Sequence, residues 1–218
     1  MIKLIIFDYD GVIVDSFPTV HKVYQIICQR LGKKCPLNFE EFKKTYGKTS
    51  RNFAKNLEFS EEDIARADLI YREEILKQKP EFFEGIAEVI DKLHESYKLI
   101  MVSSSPYDEV VNKLTTLGVV NFFVDIVAAR KSGPMKKREV LPQIIRDQEI
   151  KPEDVILIGD RVNDYEDAKS AGITNIILVE YGWGYDKTQV PAQTVKVHKP
   201  LDLLEAVRYF ETPSKARK

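Results

Sequence analysis

Short apolar stretches rich in β-branched residues alternate with stretches of helical periodicity along most of this chain. The apolar stretches cover residues 2–7, 99–102, 123–127, 155–158 and 176–179. Between the later ones, apolar side chains recur three and four positions apart, as they do from Ile86 to Leu93. Strands that alternate with helices are typical of a parallel sheet covered by helices on both faces. We therefore predict an α/β fold.

Residues 16–82 interrupt this alternation. They contain no strand pattern, only helical patterns at residues 20–31, 39–46 and 61–77. Ser60, followed by three acidic residues, predicts a helix start, because a hydroxyl caps free N–H groups and acids interact favourably with the positive end of the helix. We predict an all-helical insertion at residues 16–82 in a core formed by residues 1–15 and 83–218.

The composition excludes several classes of protein. The 218 residues include 33 Lys and Arg against 34 Asp and Glu, and this balance argues against a dedicated binder of nucleic acid or anionic membrane. No apolar run approaches the roughly 18 residues of a membrane span, and the N-terminus lacks a signal-peptide layout, so we expect a cytoplasmic protein. Cys28 and Cys35 cannot form a disulfide framework; we expect Cys28 to be a buried thiol and Cys35 to have no role.

Polar side chains follow three of the apolar stretches at the point where each ends. Asp8 and Asp10 follow the first stretch, residues 103–105 are all serine after the second, and Asp160 and Asp164 follow the fourth. In an open parallel sheet, ligands bind at the carboxyl ends of the strands, near the point where the strand order reverses. We therefore expect these side chains to gather at one edge of the sheet.

Such a cluster has a definite chemistry. Neighbouring carboxylates repel one another unless a cation lies among them, and Asp8, Asp160 and a backbone oxygen are the hard ligands that Mg²⁺ prefers. Asp8 can then attack phosphorus, and Asp10 can protonate the leaving alcohol and later activate water. Ser103 and a lysine amine would bind the other phosphate oxygens as negative charge develops.

The same residues resemble the motifs of a known superfamily over essentially the whole chain. Residues 8–12, Asp-Tyr-Asp-Gly-Val, resemble the first motif of the haloacid dehalogenase superfamily, Ser103 resembles the second, and residues 159–164 the fourth. The resemblance implies a Rossmann-like core, Mg²⁺ and an aspartyl-phosphate intermediate. It also implies that the main-chain carbonyl of Asp10 joins Asp8 and Asp160 as a metal ligand, with Asp164 behind them.

The helical insertion resembles the superfamily's cap of the first type. Its position and residues 82–86 are most similar to the branch of phosphoglycolate phosphatase and β-phosphoglucomutase, although Glu84 stands where that branch has proline. Within the insertion, Lys48 and Arg51 flank a loop that the resemblance places near the substrate. The alternative is that Thr49 or Ser50 simply caps a helix there.

The third motif departs from the family pattern, because no lysine followed by proline is present. Lys136 precedes Gly159 by 23 residues, close to the usual interval. We therefore predict that Lys136 binds phosphate together with Ser103 and Ser104. Lys137 is a strong rival for this role and Lys131 a more distant one.

These features predict a Mg²⁺-dependent phosphatase similar to phosphoglycolate phosphatase, acting on a small phosphorylated metabolite through an aspartyl-phosphate. One alternative is a hexose-phosphate mutase of the β-phosphoglucomutase type, which residues 50–51 faintly resemble. Another is a phospho-acceptor signalling module, which also gathers acids, a hydroxyl and a lysine around Mg²⁺. The sequence discloses neither the physiological substrate nor the oligomeric state.

Overall fold

The computed structural model describes residues 1–36, 38–46, 50–79, 81–130 and 135–212, with the backbone alone at residues 50–52. The chain divides into two compact units: Met1–Asp15 with Glu81–Lys218, and Ser16–Pro80. The second boundary falls two residues before the position that the sequence suggested. No helix in the described ranges is both long and apolar enough to cross a membrane.

The smaller unit is helical and has an aromatic core. Its helices are α1 (Phe17–Leu31), α2 (Phe39–Tyr46), α3 (Ser50–Asn56) and α4 (Glu61–Ile75). Phe42 is fully buried, with its ring centre 5.4 Å from that of Phe17 and 5.2 Å from that of Phe53. Ser60 caps α4 as predicted, because its Oγ accepts the N–H of Asp63 at 3.1 Å.

The two cysteines correct the sequence analysis. Cys28 is buried as predicted. However, it forms a disulfide with Cys35 at a Cα–Cα separation of 5.7 Å, so the predictions of a thiol at Cys28 and of no role for Cys35 are wrong. Gly32 ends α1 with φ +66° and turns the chain back, which brings Cys35 beside the last turn of the helix. A separation of seven residues carries no signal for this pairing in the sequence.

The larger unit is built on a six-stranded sheet whose paired strands are all parallel. In chain order the strands are β1 (Leu4–Phe7), β2 (Lys98–Pro106), β3 (Phe123–Ala129), β4 (Val155–Gly159), β5 (Asn175–Val179) and β6 (Val195–Val197). Their order across the sheet is β3-β2-β1-β4-β5-β6. The predicted α/β fold with a Rossmann-like core is confirmed. The sequence analysis missed β6, which has three residues and only one of them buried.

Helices cover both faces of this sheet. They are α5 (Ile86–His94), α6 (Tyr107–Leu117), α7 (Lys137–Asp147), α8 (Val162–Ser170) and α9 (Leu203–Glu211). Alternate residues of β1 enter different cores, since Ile5 and Phe7 pack with residues of α5, α6 and α9, while Leu4 and Ile6 pack with residues of α7 and α8. Both faces of β1 are therefore buried, which explains its continuous apolar run.

The strand order reverses at β1, because chain order runs outward from β1 through β2 on one side and through β4 on the other. Register places Phe7 opposite Met101 of β2 and Ile158 of β4. The segments that follow these three strands consequently meet at one edge, where open α/β sheets bind their ligands.

Candidate active site

The chain leaves β1 at Asp8 in a fixed conformation. The Asp8 N–H donates to the carbonyl of Ile158 at 2.9 Å, and its Oδ1 accepts the N–H of Tyr9 at 2.7 Å. Gly11 then turns the chain with φ +78°, and a Cβ at this position would lie 2.0 Å from Oδ2 of Asp160. Glycine is required at residue 11 for both its backbone conformation and its lack of a side chain.

Three buried carboxylates converge at this edge. Asp8, Asp160 and Asp164 each offer an oxygen within 4.8 Å of the other two. Asp164 Oδ2 accepts the backbone N–H groups of Asp160 and Arg161 at 3.2 and 3.0 Å, so it also caps α8. Asp160 Oδ2 accepts the N–H of Gly184 at 2.7 Å, whereas its buried Oδ1 has no hydrogen-bond partner within the described residues.

Lys137, not Lys136, reaches this cluster, so the prediction of Lys136 is corrected. The Lys137 amine lies 2.7 Å from Asp8 Oδ2 and 2.5 Å from Asp164 Oδ1, and its side chain is 12% exposed. Lys136 is 65% exposed and pairs with Glu139 at 2.8 Å.

The backbone at the start of α7 explains which lysine points inward. Lys136 has extended dihedral angles, φ −117° and ψ 120°, as the residue before the helix, whereas Lys137 is the first helical residue. Because the backbone changes from extended to helical between these two residues, their side chains point in different directions. The Lys136 side chain runs along the exposed side of the first helical turn to Glu139.

The buried charges shift one another's pKa values. Burial raises the pKa of Asp8 to about 7, with Asp164 adding to the rise and the Lys137 ammonium opposing it. Burial also raises the pKa of Asp160 well above its usual range, although the Arg161 guanidinium acts in the opposite direction. Burial alone would lower the pKa of Lys137, but the carboxylates of Asp164 and Asp8 raise it. Burial therefore disfavours the anionic forms of Asp8 and Asp160 unless further positive charge is present.

The three serines near the carboxyl end of β2 occupy different environments. Ser103 is fully buried and its Oγ accepts the N–H of Ser105 at 3.0 Å, while Ser104 is exposed. Ser105 was not predicted as a site residue, yet its Oγ lies 2.6 Å from Oδ2 of Asp10 as a hydrogen-bond donor. β2 extends to Pro106, four residues beyond the predicted end of the strand, and this extension brings Ser105 to Asp10.

Three predicted positions stay untested. Lys48 and Lys131 lie outside the described residues, and so does the side chain of Arg51. The roles of Asp8, Asp10, Ser103 and Ser104 in catalysis or phosphate binding also stay predictions, although the structure brings Asp8, Asp160, Asp164 and Lys137 together.

A family model now identifies the class of protein that this arrangement defines. The model of haloacid dehalogenase-like hydrolases matches residues 5–178, which span β1, β4 and the residues of the carboxylate cluster. The chain belongs to the haloacid dehalogenase-like hydrolase family, which confirms the resemblance and the predicted class of enzyme.

Individual relatives agree with this family. A phosphoglycolate phosphatase from Rhodobacter capsulatus is 25% identical over 203 residues, covering 88% of this chain and 90% of the relative. The pyrophosphatase PpaX from Listeria monocytogenes is 27% identical over 219 residues, covering 95% of this chain and 97% of the relative. A solved hydrolase of this family from Streptococcus pneumoniae is 26% identical, with a TM-score of 0.80 and coverage of 94% and 98%.

Proposed function

We propose that this protein is a Mg²⁺-dependent phosphatase that hydrolyses a small phosphomonoester through an aspartyl-phosphate on Asp8. One observation carries the proposal: the buried carboxylate of Asp8 lies 2.7 Å from the partly buried ammonium of Lys137, at the carboxyl edge of the sheet and beside a second buried acid, Asp160. The family assignment and the phosphatases among the relatives support the same reaction.

The residues present fit a divalent cation. Asp8, Asp160 and Asp164 each offer one carboxylate oxygen within 4.8 Å of the other two, and such oxygens are the ligands that Mg²⁺ prefers. Oδ1 of Asp160 is buried and has no hydrogen-bond partner within the described residues. Burial raises the pKa of Asp8 to about 7, so further positive charge nearby would favour its anionic form. Asp8, Asp160 and the main-chain carbonyl of Asp10 would hold the ion. Bound there, Mg²⁺ would keep Asp8 ionised and offset the charge of the phosphate.

The chain's own residues then perform two displacements. An Asp8 carboxylate oxygen bonds to phosphorus as the ester bond breaks, and the Asp10 carboxyl gives its proton to the leaving oxygen. Asp10 next takes a proton from a water molecule, which attacks phosphorus and releases inorganic phosphate and free Asp8. Lys137 and Ser103 would stabilise the charge that spreads over the phosphoryl oxygens in both steps.

The substrate class is a small phosphorylated metabolite. The phosphoglycolate phosphatase and the pyrophosphatase among the relatives make phosphorylated hydroxy acids and pyrophosphate candidate substrates, and the mutase alternative adds hexose phosphates. Lys48 and Arg51, in the helical unit, remain our proposed substrate contacts. A cytoplasmic location and the absence of nucleic-acid partners stay predictions.

Phosphate release from a panel of these compounds tests the proposal. We expect release with Mg²⁺ and at least about a hundredfold less with EDTA, because without the ion nothing offsets the charge of the phosphate as Asp8 approaches it, and Asp8 itself is only partly ionised near neutral pH. Adding excess Mg²⁺ to the EDTA sample should restore the rate. Equal release in EDTA would contradict metal dependence. Interconversion of hexose phosphates without release would favour the mutase, and an aspartyl-phosphate that persists would favour a signalling module.

Ser105 provides a second test, through its contact with Asp10. Ser105→Ala is expected to lower kcat about tenfold with little change in KM, because it removes the hydrogen bond that orients the Asp10 carboxyl group for proton transfer, and a typical hydrogen bond is worth roughly 0.5–1.5 kcal/mol. Ser105→Thr keeps the hydroxyl and should retain most of the rate. Steady-state kinetics over a range of pH measure both variants. A larger loss for Ser104→Ala, at the exposed neighbour, would contradict the assignment to Ser105.

A further inference from the structure

The segment that follows β5 closes around Asp160; we name residues 181–184 the latch loop. The Gly184 N–H donates to Asp160 Oδ2 at 2.7 Å. A Cβ on Gly182 would lie 2.3 Å from the Cβ of Asp160, and one on Gly184 would lie 2.6 Å from its Oδ2. The Tyr181 hydroxyl donates to the carbonyl of Val12 at 3.1 Å and ties the latch loop to the segment after β1. The backbone of the loop thus approaches this carboxylate as only glycine permits.

The latch loop also contacts the residue after Asp160. The Arg161 guanidinium lies over the Trp183 ring, 4.1 Å from its centre, which is within the range of a cation–π interaction. The Nε of Arg161 is 3.8 Å from Oδ1 of Asp160, the oxygen without a hydrogen-bond partner within the described residues. A guanidinium that moved onto this oxygen would compete with a metal ion for it. The aromatic face is therefore placed to hold Arg161 in an ion pair of 3.8 Å with this oxygen and to keep it from hydrogen-bond contact.

We propose that the latch loop positions Asp160 for the cation: Gly184 occupies Oδ2, and Trp183 holds Arg161 against its ring so that Oδ1 stays available. The inference rests on the proposed function, in which Asp160 is a metal ligand. Trp183 and Gly184 are positioning residues, since they act on the ion through Asp160 and Arg161. Outer partners of this kind change metal affinity by about 10–100-fold in other metal sites.

Calorimetric titration of the full chain with Mg²⁺ at constant ionic strength tests this directly, without any turnover. We expect Trp183→Leu to raise the Kd for Mg²⁺ about tenfold, because Arg161 is freed to bind Asp160. Adding Arg161→Met to this variant should return the Kd to within about threefold of the wild-type value. Arg161→Met alone should bind Mg²⁺ at least as tightly as the wild type. If Trp183→Leu does not fold, the Kd of Arg161→Met is the measurement that tests the inference.

Gly118→Ala is the matched control for a general loss of stability. Gly118 ends α6 with φ +82°, so alanine is strained there, yet no atom lies within 4 Å of the added Cβ. It should lower the unfolding temperature and leave the Kd for Mg²⁺ unchanged.

Several results would overturn the inference. One is a Kd for Mg²⁺ that stays unchanged in Trp183→Leu, and another is a double variant whose Kd does not return towards the wild-type value. The inference also fails if Arg161→Met binds Mg²⁺ more weakly than the wild type, or if Gly118→Ala raises the Kd as much as Trp183→Leu does. A wild-type protein that binds no Mg²⁺ would overturn the proposed function together with the inference. Tight wild-type binding that Trp183→Leu leaves unchanged would overturn the inference alone.

Discussion

Replacing Asp8 with asparagine is expected to abolish phosphate release, lowering kcat by at least about four orders of magnitude while the fold persists. The amide lacks the nucleophilic oxygen, and removing a nucleophile typically costs this much or more. Asparagine is nearly isosteric with aspartate, and its carbonyl can still accept the N–H of Tyr9. Phosphate release with saturating Mg²⁺ measures the effect, and circular dichroism checks the fold.

The raised pKa of Asp8 gives the same variant a second, independent readout. An acid whose pKa rises from 3.8 to about 7 on folding binds protons more strongly in the folded state, so the metal-free protein loses stability as pH rises between these values. Asp8→Asn should therefore unfold in EDTA at pH 8 at a temperature no lower than the wild type. The control is Asp167→Asn, which makes the same change at an acid on α8 that pairs with Arg138 at 3.2 Å. This variant should keep the wild-type rate of phosphate release. Full activity in Asp8→Asn would disprove the mechanism.

Replacing Lys137 with methionine is the change with the next largest expected effect. It removes the ammonium 2.7 Å from Asp8 and 2.5 Å from Asp164, and loss of such a charge-stabilising donor typically lowers kcat by about 10²–10³-fold. It also leaves two buried carboxylates without their partner, which costs about 3–5 kcal/mol of unfolding free energy. Urea unfolding in EDTA at pH 8 should show this loss, and the loss should shrink at lower pH as the buried Asp8, whose pKa is raised, takes up a proton.

Lys136→Met is the matched control because it changes the adjacent residue in the same way. Its ammonium is exposed and pairs only with Glu139 in the described part of the chain, an interaction worth about 0–1 kcal/mol. We expect its kcat to stay within about twofold of the wild type. If Lys136→Met were the inactive variant and Lys137→Met the active one, the assignment of the phosphate-binding lysine would be reversed.

The sequence predicts the edge of the sheet well because strand periodicity and strand ends are local properties. Asp8 follows an apolar run buried on both faces, and Asp160 follows another, so parallel pairing alone brings their carboxylates together. Parallel pairing likewise places the serines at the carboxyl end of β2 at this edge.

The sequence does not predict which individual residue within these segments reaches the site, because this depends on geometry between segments that are distant in the chain. Lys136 and Lys137 differ by one position, and only the start of α7 decides which amine turns inward. Ser105 reaches Asp10 because β2 extends to Pro106, with an irregular register beside β3 between Ser103 and Pro106. Trp183 lies 22 residues after Arg161, and no periodicity in the sequence connects the two.

The close approach of three glycines to one carboxylate limits how this enzyme can be redesigned. A Cβ on Gly11, Gly182 or Gly184 would lie within 2.6 Å of an atom of Asp160, so even alanine is too large at all three positions. A mutant library intended to change the substrate should leave these codons fixed and vary other positions. At these three positions there is no room for a new side chain, whatever chemistry that side chain would bring.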